Sequence, residues 1–372
     1  MKKVLLVFGT RPEAIKMCPL VNELKSRSKL IVKVCVTGQH KEMLQQVLDI
    51  FNVIPDYDLS IMKDQQTLYD VTSNILLKMS KVLDNEKPDI VLVHGDTTTS
   101  FTAGLSAFYK QIPVGHVESG LRTHNIYSPF PEEFNRKAIS IFSELNFAPT
   151  MMAKKNLINE GYDSSKIFVT GNTAIDALHS TVNDEYSDEN LEWAKDSRLI
   201  LITAHRRENL GQPMRNMFRA IRRVVEENDN VKVIYPIHMN PIVRKIAEEE
   251  IGNLKNIRII EPLEVSMFHN YLAKSYLTLT DSGGIQEEAP ALGKPVLVMR
   301  DTTERPEGIK AGTLKLVGTE EENIYKAFKE LLTNKDVYSK MSNSENPYGD
   351  GKASKRIADI IEGKEIKEWF FN

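Results

Sequence analysis

Cysteine is scarce: the chain has two in 372 residues, Cys18 and Cys35. Both lie early, in apolar surroundings. Two thiols make no disulfide framework, so both are expected to be buried and free. The opening MKKVLLVFGT imitates an export signal only faintly. Its apolar stretch runs from Val4 to Phe8 before Gly9, Thr10, Arg11 and Pro12 interrupt it, which fits a first β-strand. Free thiols without an export signal point to a reducing cytoplasm. No apolar run reaches transmembrane length, which excludes a helical membrane protein. A basic excess is missing too. The formal net charge of −3 argues against a general nucleic-acid binder. With 41% hydrophobic and 27% charged residues the chain is neither disordered nor membrane-spanning. No Gly-X-Gly-X-X-Gly follows a strand, and no phosphate loop ends in Gly-Lys-Ser/Thr, since YGDGKAS lacks the first glycine. A nicotinamide or ATP-hydrolysis reading loses its main support. Neither His-Glu-X-X-His nor a cysteine cluster marks a metal site.

What is present is a rhythm. Short apolar runs at 3–9, 31–38, 89–96, 112–119, 144–149 and 166–172 read as strands, separated by helix-length amphipathic stretches. After the polar segment 180–190 the pattern restarts at 198–205, 231–238, 256–262, 276–283, 294–301 and 313–318. Continuous rather than alternating apolar strands, with helices between them, indicate parallel sheets covered on both faces. A chain this long exceeds what one core usually serves. The expected fold class is therefore α/β, with two doubly wound domains. The boundaries are placed at 1–172 and 173–355, with a C-terminal helix, 356–372, packing back on the first domain.

In open parallel sheets ligands bind outside the carboxyl ends of the strands. The apolar runs end in GTRPE, TGQH, HGDTTTS, HVESGLR, AHRREN, PIHMNP, DSGGIQEE and RDTTERPEG. Five of the eight histidines lie at or near those ends: His40, His94, His116, His205 and His238. In DSGGIQEEAP, Ser282 can cap a helix, Gly283 and Gly284 let a ligand approach the backbone, and Glu288 can accept from ribose hydroxyls. A plain Gly-rich turn is the alternative. In FGTRPEAIKM, Arg11 and Lys16 suit phosphate, or belong to an ordinary capped surface helix. Asp96, Glu118 and Glu132 or Glu133 come after strands or begin a helix. Carboxylates in one partly desolvated place can differ in pKa and divide acid and base roles. Any one of them alone reads equally well as a cap. Phe268 is core or a base platform; His179 and His269 read as structural or surface. The Asp56-Tyr57-Asp58 run is like the metal-binding Asp-X-Asp of some glycosyltransferases, but stands in a turn-like context and is a weak signal.

Together, FGTRPEAIKM, VHGDTTT, GHVESGLRT, SPFPEEFNR, TGNTAIDA, TAHRRENLG, DSGGIQEEAP, RDTTERPEG and NPYGDGKAS cover nearly the whole chain in order. The chain resembles the bacterial non-hydrolysing UDP-N-acetylglucosamine 2-epimerases. The resemblance implies two Rossmann-like domains with a central cleft, as in GT-B glycosyltransferases, and a homodimer. It implies that Arg11, His205, Ser282, Gly283, Gly284, Glu288 and Arg305 hold the nucleotide and its phosphates, with Phe268 on uracil. Lys16, Asp96, Glu118, Glu132, Arg136 and His205 would surround the reacting sugar. Some members bind a second UDP-GlcNAc as activator, and Gln39, His40, Arg206 and His238 fit that pattern. Glu42 and Gln65 replace a Gln and an Arg found in some regulated members, which leaves activation open.

The implied chemistry needs no cofactor and no metal. The C2–H of UDP-GlcNAc is not next to a carbonyl, so simple deprotonation is hard. Positive charge growing at C1 as the bond to UDP weakens makes that proton acidic. Anti elimination then gives a 2-acetamidoglucal and UDP, and re-addition gives UDP-ManNAc for cell-surface polysaccharide such as capsule or teichoic acid. Three other readings stand beside it: a hydrolysing epimerase releasing ManNAc, a GT-B glycosyltransferase, and a non-enzymatic UDP-sugar sensor. An intact AHRREN favours the non-hydrolysing branch.

Overall fold

The computed structural model describes residues 1–38, 41–62, 66–303 and 305–371, and of 41–43 the backbone alone. The chain divides into two compact units. One comprises Met1–Ser180 with Tyr348–Asn372, the other Thr181–Pro347.

The first unit holds a seven-stranded sheet in the order β3-β2-β1-β4-β5-β6-β7. Its strands are β1 (Lys2–Phe8), β2 (Leu30–Val36), β3 (Tyr57–Asp58), β4 (Ile90–His94), β5 (Val114–Val117), β6 (Leu145–Ala148) and β7 (Ile167–Val169). The second unit holds six, in the order β10-β9-β8-β11-β12-β13. These are β8 (Arg198–Thr203), β9 (Val231–Pro236), β10 (Ile257–Ile260), β11 (Leu277–Thr280), β12 (Val296–Val298) and β13 (Leu314–Leu316). Every pairing is parallel. Both orders reverse direction once, between β1 and β4 and between β8 and β11. That reversal marks a topological switch point, where loops leave the sheet on opposite faces and open a crevice.

The apolar runs are continuous because both sheet faces are covered. Along β8, Ile200 and Ile202 join Met214, Met217, Phe218 and Ile221 of the helix Gln212–Glu227 in one core. Leu199 and Leu201 face the other way, onto Tyr271 and Leu272 of the helix Val265–Lys274. Each such side chain, fully buried, contributes roughly 1.5–3 kcal/mol, more than a surface ion pair of about 0–1 kcal/mol. The fold therefore rests on this alternation. In the first unit Leu5, Val7, Val91 and Val93 pack with Val71, Ile75 and Met79 in the same way. Cys18 and Cys35 are free and buried, and burial pushes both thiols up to about 12.

Three features depart from the sequence-based expectation. The Asp56-Tyr57-Asp58 turn is an edge strand: Tyr57 and Asp58 pair with Cys35 and Val36. Its acids have local partners. Asp56 accepts from Lys33 Nζ and the Val34 N–H, and Asp58 from the Ser60 N–H. Secondly, the units exchange chain at 180/181 and 347/348, whereas the sequence boundaries stand at 172/173 and 355/356. The Asn172 N–H donates to Tyr348 O, and Asp176 accepts from the N–H groups of Ala353 and Ser354. Those bonds tie the flanks of both crossings to the first unit. Thirdly, the last helix is Ala353–Ile361 and does not continue to the C-terminus. Gly363, at φ 77°, turns the chain, a backbone that glycine adopts without steric cost. The tail then runs over the first unit, where the Trp369 N–H donates to Val169 O and Lys154 pairs with Glu368 at 2.8 Å.

Candidate active site

The first unit gathers chemistry where β1, β4 and β5 end. The helix Arg11–Lys25 follows β1 and carries Arg11 and Lys16 on its first turns. Asp96 follows β4, Glu118 follows β5, and Glu132 begins the helix Glu132–Phe142. Lys16 Nζ forms an ion pair with Glu118 Oε2, onto which Asn172 Nδ2 also donates at 3.2 Å. His94 Nε2 lies 3.6 Å from the same oxygen. Burial disfavours the charge on Glu118, but Lys16 and then His94 outweigh it and hold the carboxyl well below the usual carboxylate range. Glu118 sits at φ 63°, a left-handed backbone that costs a non-glycine residue about 1–3 kcal/mol and persists only where its surroundings fix it. Arg136 bonds Asp96 and pairs with Glu133 at 3.2 Å. Glu132 is half-buried beside them in sequence. Of the acidic pair at 132–133, Glu133 is the structural one: fully buried, it accepts from the N–H groups of Thr123 and His124.

One residue outside the sequence-predicted set organises this end of the sheet. Glu13 is 2% exposed. Its Oε2 accepts from the N–H groups of Gly9 and Thr10, at 2.9 and 2.8 Å. Its Oε1 accepts from Thr97 Oγ1 and Ser100 Oγ, at 2.5 and 2.9 Å. One carboxylate thus ties the turn after β1, which leads into the helix carrying Lys16, to the turn after β4, which carries Asp96. The sequence holds a signal for it: Thr10-X-X-Glu13 is a capping box, and both its bonds are formed.

In the second unit the equivalent focus is Asp281, fully buried after β11. It accepts from the N–H groups of His205 (3.0 Å) and Arg206 (2.9 Å) and from Asn209 Nδ2 (3.1 Å). Arg206 Nε donates to Asp281 O at 2.8 Å. AHRREN is thereby folded over the switch point by Asp281, an acid with no role in the sequence-based expectation. The His205 ring stacks on His238 at 5.1 Å and 8°. Burial, with His238 and Arg206, lowers the His205 imidazole pKa against the pull of Asp281. Glu208 pairs with Arg206 and Arg300, at 3.5 and 3.7 Å.

DSGGIQEE departs from expectation in one respect. The helix spans Ile285–Ala291 with Gly284 as its N-cap and no side-chain cap bond. Ser282 is therefore not the cap; it lies too far ahead of the first turn, and its N–H donates to Thr280 Oγ1 at 2.9 Å. Gly283 and Gly284 lie in the same turn. Glu288 Oε2 stands 3.7 Å from His269 Nε2, and the buried His269 also bonds Thr181 Oγ1 at 2.6 Å. Arg305 Nε donates to Glu287 Oε1 at 2.6 Å. Phe268 is half-buried against the core formed with Tyr271 and Leu272. Gln39, His40 and Gln65 lie outside the described residues, as does the Glu42 side chain.

Two parallel sheets, each with charged groups gathered at its switch point, define an α/β protein of the doubly wound, nucleotide-handling class. The family model for UDP-N-acetylglucosamine 2-epimerase matches residues 22–362. A Bacillus subtilis UDP-N-acetylglucosamine 2-epimerase is 60% identical over 359 residues, covering 96% of this chain and 94% of its own. A crystal structure of a UDP-N-acetylglucosamine 2-epimerase superposes with TM-score 0.92 at 56% identity, covering 100% of both chains. The Neisseria meningitidis UDP-GlcNAc 2-epimerase bound to UDP-GlcNAc gives TM-score 0.88 at 49% identity, covering 97% of this chain and 100% of its own. The chain belongs to the UDP-N-acetylglucosamine 2-epimerase family.

Proposed function

We propose that the protein is the non-hydrolysing enzyme, interconverting UDP-GlcNAc and UDP-ManNAc by elimination and re-addition of UDP. The observation that carries this is the Glu118 carboxylate, held ionised by Lys16 beside the Asp96–Arg136 pair. Inversion at C2 needs proton transfer on both faces of that carbon, and Asp96, Glu118 and Glu132 supply three carboxyl groups for it. As the C1–O bond breaks, its electron pair leaves with UDP. The C2–H pair becomes the C1=C2 bond of the glycal, and the proton goes to a carboxylate. The return delivers a proton to the opposite face of C2 while a diphosphate oxygen attacks C1. Arg11, His205 and Arg305 stabilise the charge gathered on departing UDP, while Lys16 and Arg136 stand by the sugar with the carboxylates. Ser282, Gly283, Gly284 and Glu288 hold the nucleotide, with Phe268 against the base. The Neisseria relative bound to UDP-GlcNAc supports this substrate.

Proton NMR of the purified protein with UDP-GlcNAc in deuterium oxide tests the reading. The expected result is a UDP-GlcNAc/UDP-ManNAc mixture carrying deuterium at C2. Free ManNAc with UDP would make it the hydrolysing enzyme, and epimerised product without deuterium would exclude solvent-exchanging proton removal.

The same reading includes a homodimer. Exposed Leu77, Phe108, Tyr109 and Ile141 lie on three adjoining helices, Leu68–Glu86, Thr98–Tyr109 and Glu132–Phe142, and large apolar side chains left exposed on neighbouring helices support association. It also assigns Arg206 and His238, with Gln39 and His40, to a second UDP-GlcNAc. With Glu42 and Gln65 in place of the Gln and Arg of some regulated members, the rate curve decides whether that molecule activates: sigmoidal dependence on UDP-GlcNAc if it does, hyperbolic if it does not. No helix of the described residues is long and apolar enough to cross a membrane.

A further inference from the structure

We propose that His94 and His116 form a reciprocal pair of positioning residues, each holding the functional turn that follows the other's strand. β4 and β5 are neighbours, with Val93 paired to His116 and His94 to Val117. His94, the last residue of β4, directs Nε2 at Glu118, beyond β5, at 3.6 Å. His116, within β5, places Nε2 2.6 Å from the carbonyl oxygen of Gly95, beyond β4, next to Asp96. Both rings are buried, and each keeps one nitrogen without a hydrogen-bond partner among the described residues: Nε2 of His94 and Nδ1 of His116. A buried polar atom left unpaired is costly and calls for a reason.

The two histidines have different tasks. Burial drives the His116 imidazole down to about 3, against the raising effect of the Gly95 carbonyl. The ring is neutral at working pH, so the nitrogen on the carbonyl must carry the single proton and donate it. That bond fixes the carbonyl of Gly95, whose backbone turns at φ 64° and points the chain toward Asp96. The His94 nitrogen stands just beyond bonding distance of Glu118. Such contacts often lengthen without substrate and close in the reacting complex. Facing Glu118 are Lys16 from the helix Arg11–Lys25, His94 from β4 and the neutral amide of Asn172. The first two favour the carboxylate, so Lys16 and the His94 ring together hold the charge on Glu118. The Glu118 side chain also reaches over the other turn, since a Cβ on Gly95 would lie 3.7 Å from Glu118 Oε1. Movement of either turn is felt by the other.

This rests on the reading of Asp96 and Glu118 as proton-transfer groups. The test compares H94N, H94Q, H116N and H116Q with E118Q, measuring kcat and KM for UDP-GlcNAc epimerisation across pH. An Asn amide overlays Nδ1 and falls short; a Gln amide reaches the Nε2 position. Both Asn variants are expected to lose at least about tenfold in kcat with KM within about twofold, and the Gln variants to recover most of it. H94N should also move the acidic limb of the kcat/KM profile upward. Wild-type kcat and an unshifted acidic limb in folded H94N would overturn the pairing, as would Gln variants no better than Asn. Thermal unfolding and UDP binding report folding. Should H116N not fold, the His94 variants decide, since that ring ends its strand. If E118Q itself turns over normally, the role of Glu118 falls and the pairing with it. If E118Q is inactive while both Asn variants are normal, only the pairing falls.

Discussion

Glu13→Ala tests whether one buried carboxylate holds two functional turns together. The change removes the acceptor of four hydrogen bonds. The two hydroxyls can redirect; Ser100 Oγ already lies 2.6 Å from His94 O. The N–H groups of Gly9 and Thr10 cannot turn away, since the backbone fixes them. Leaving a buried donor unsatisfied costs about 1–3 kcal/mol, so two of them cost roughly 2–6 kcal/mol. For a unit of about 200 residues each kcal/mol moves Tm by about 2–4 °C. The expected drop is about 4–24 °C by calorimetry or circular dichroism. Turnover should fall as well, since Lys16 and Asp96 lose their common anchor. Glu13→Gln keeps one acceptor oxygen for the N–H pair and should lose less than half as much. A Tm for Glu13→Ala within about 2 °C of the wild type would refute the reasoning, because the donors would then have found other partners.

Lys16→Met should raise the Glu118 pKa, since burial would then act without its largest opponent, leaving His94 and the Asn172 amide. The sign is fixed by linkage: a depressed carboxylate stabilises the fold above its unfolded value, near 4.3, and that stability is lost as pH falls through the lower folded value. The variant should thus lose stability and activity at a higher pH than the wild type; coincident pH–rate profiles would refute the assignment of Lys16 as the dominant partner. Gly120→Ala places a Cβ 2.3 Å from Ala153 O at φ 91°. It should destabilise the first unit by at least about 2 kcal/mol, combining the left-handed backbone cost with the clash, and an unchanged Tm would show that the turn relaxes freely.

How much is legible in the sequence depends on how local the cause is. Twelve strands announce themselves by apolar runs, because a strand buried on both faces must be apolar throughout. β3 does not, since two residues on an edge carry no periodicity. The helix stop at Gly363 is hidden because the polar and aromatic tail still reads as amphipathic. Glu13 is legible as a capping box, but nothing in the box says that its second oxygen serves the turn after β4. Ser282 looks like a cap by type; the helix begins later, and the side chain's position results from that.

By itself the sequence determined the two parallel sheets and the strand ends at which the chemistry gathers, because hydrophobic periodicity and chain polarity are properties of order along the chain. It also carried the family, through motifs spread from one end to the other. Only the tertiary structure decided the partnerships. Lys16 and Glu118 are 102 positions apart, and Arg136 and Asp96 are 40. His94 and His116 exchange turns only because β4 and β5 lie side by side, and Asp281 folds AHRREN only because β8 and β11 do. A residue type states what a side chain can bond. Which bond it makes is set by what the packed sheet brings within reach.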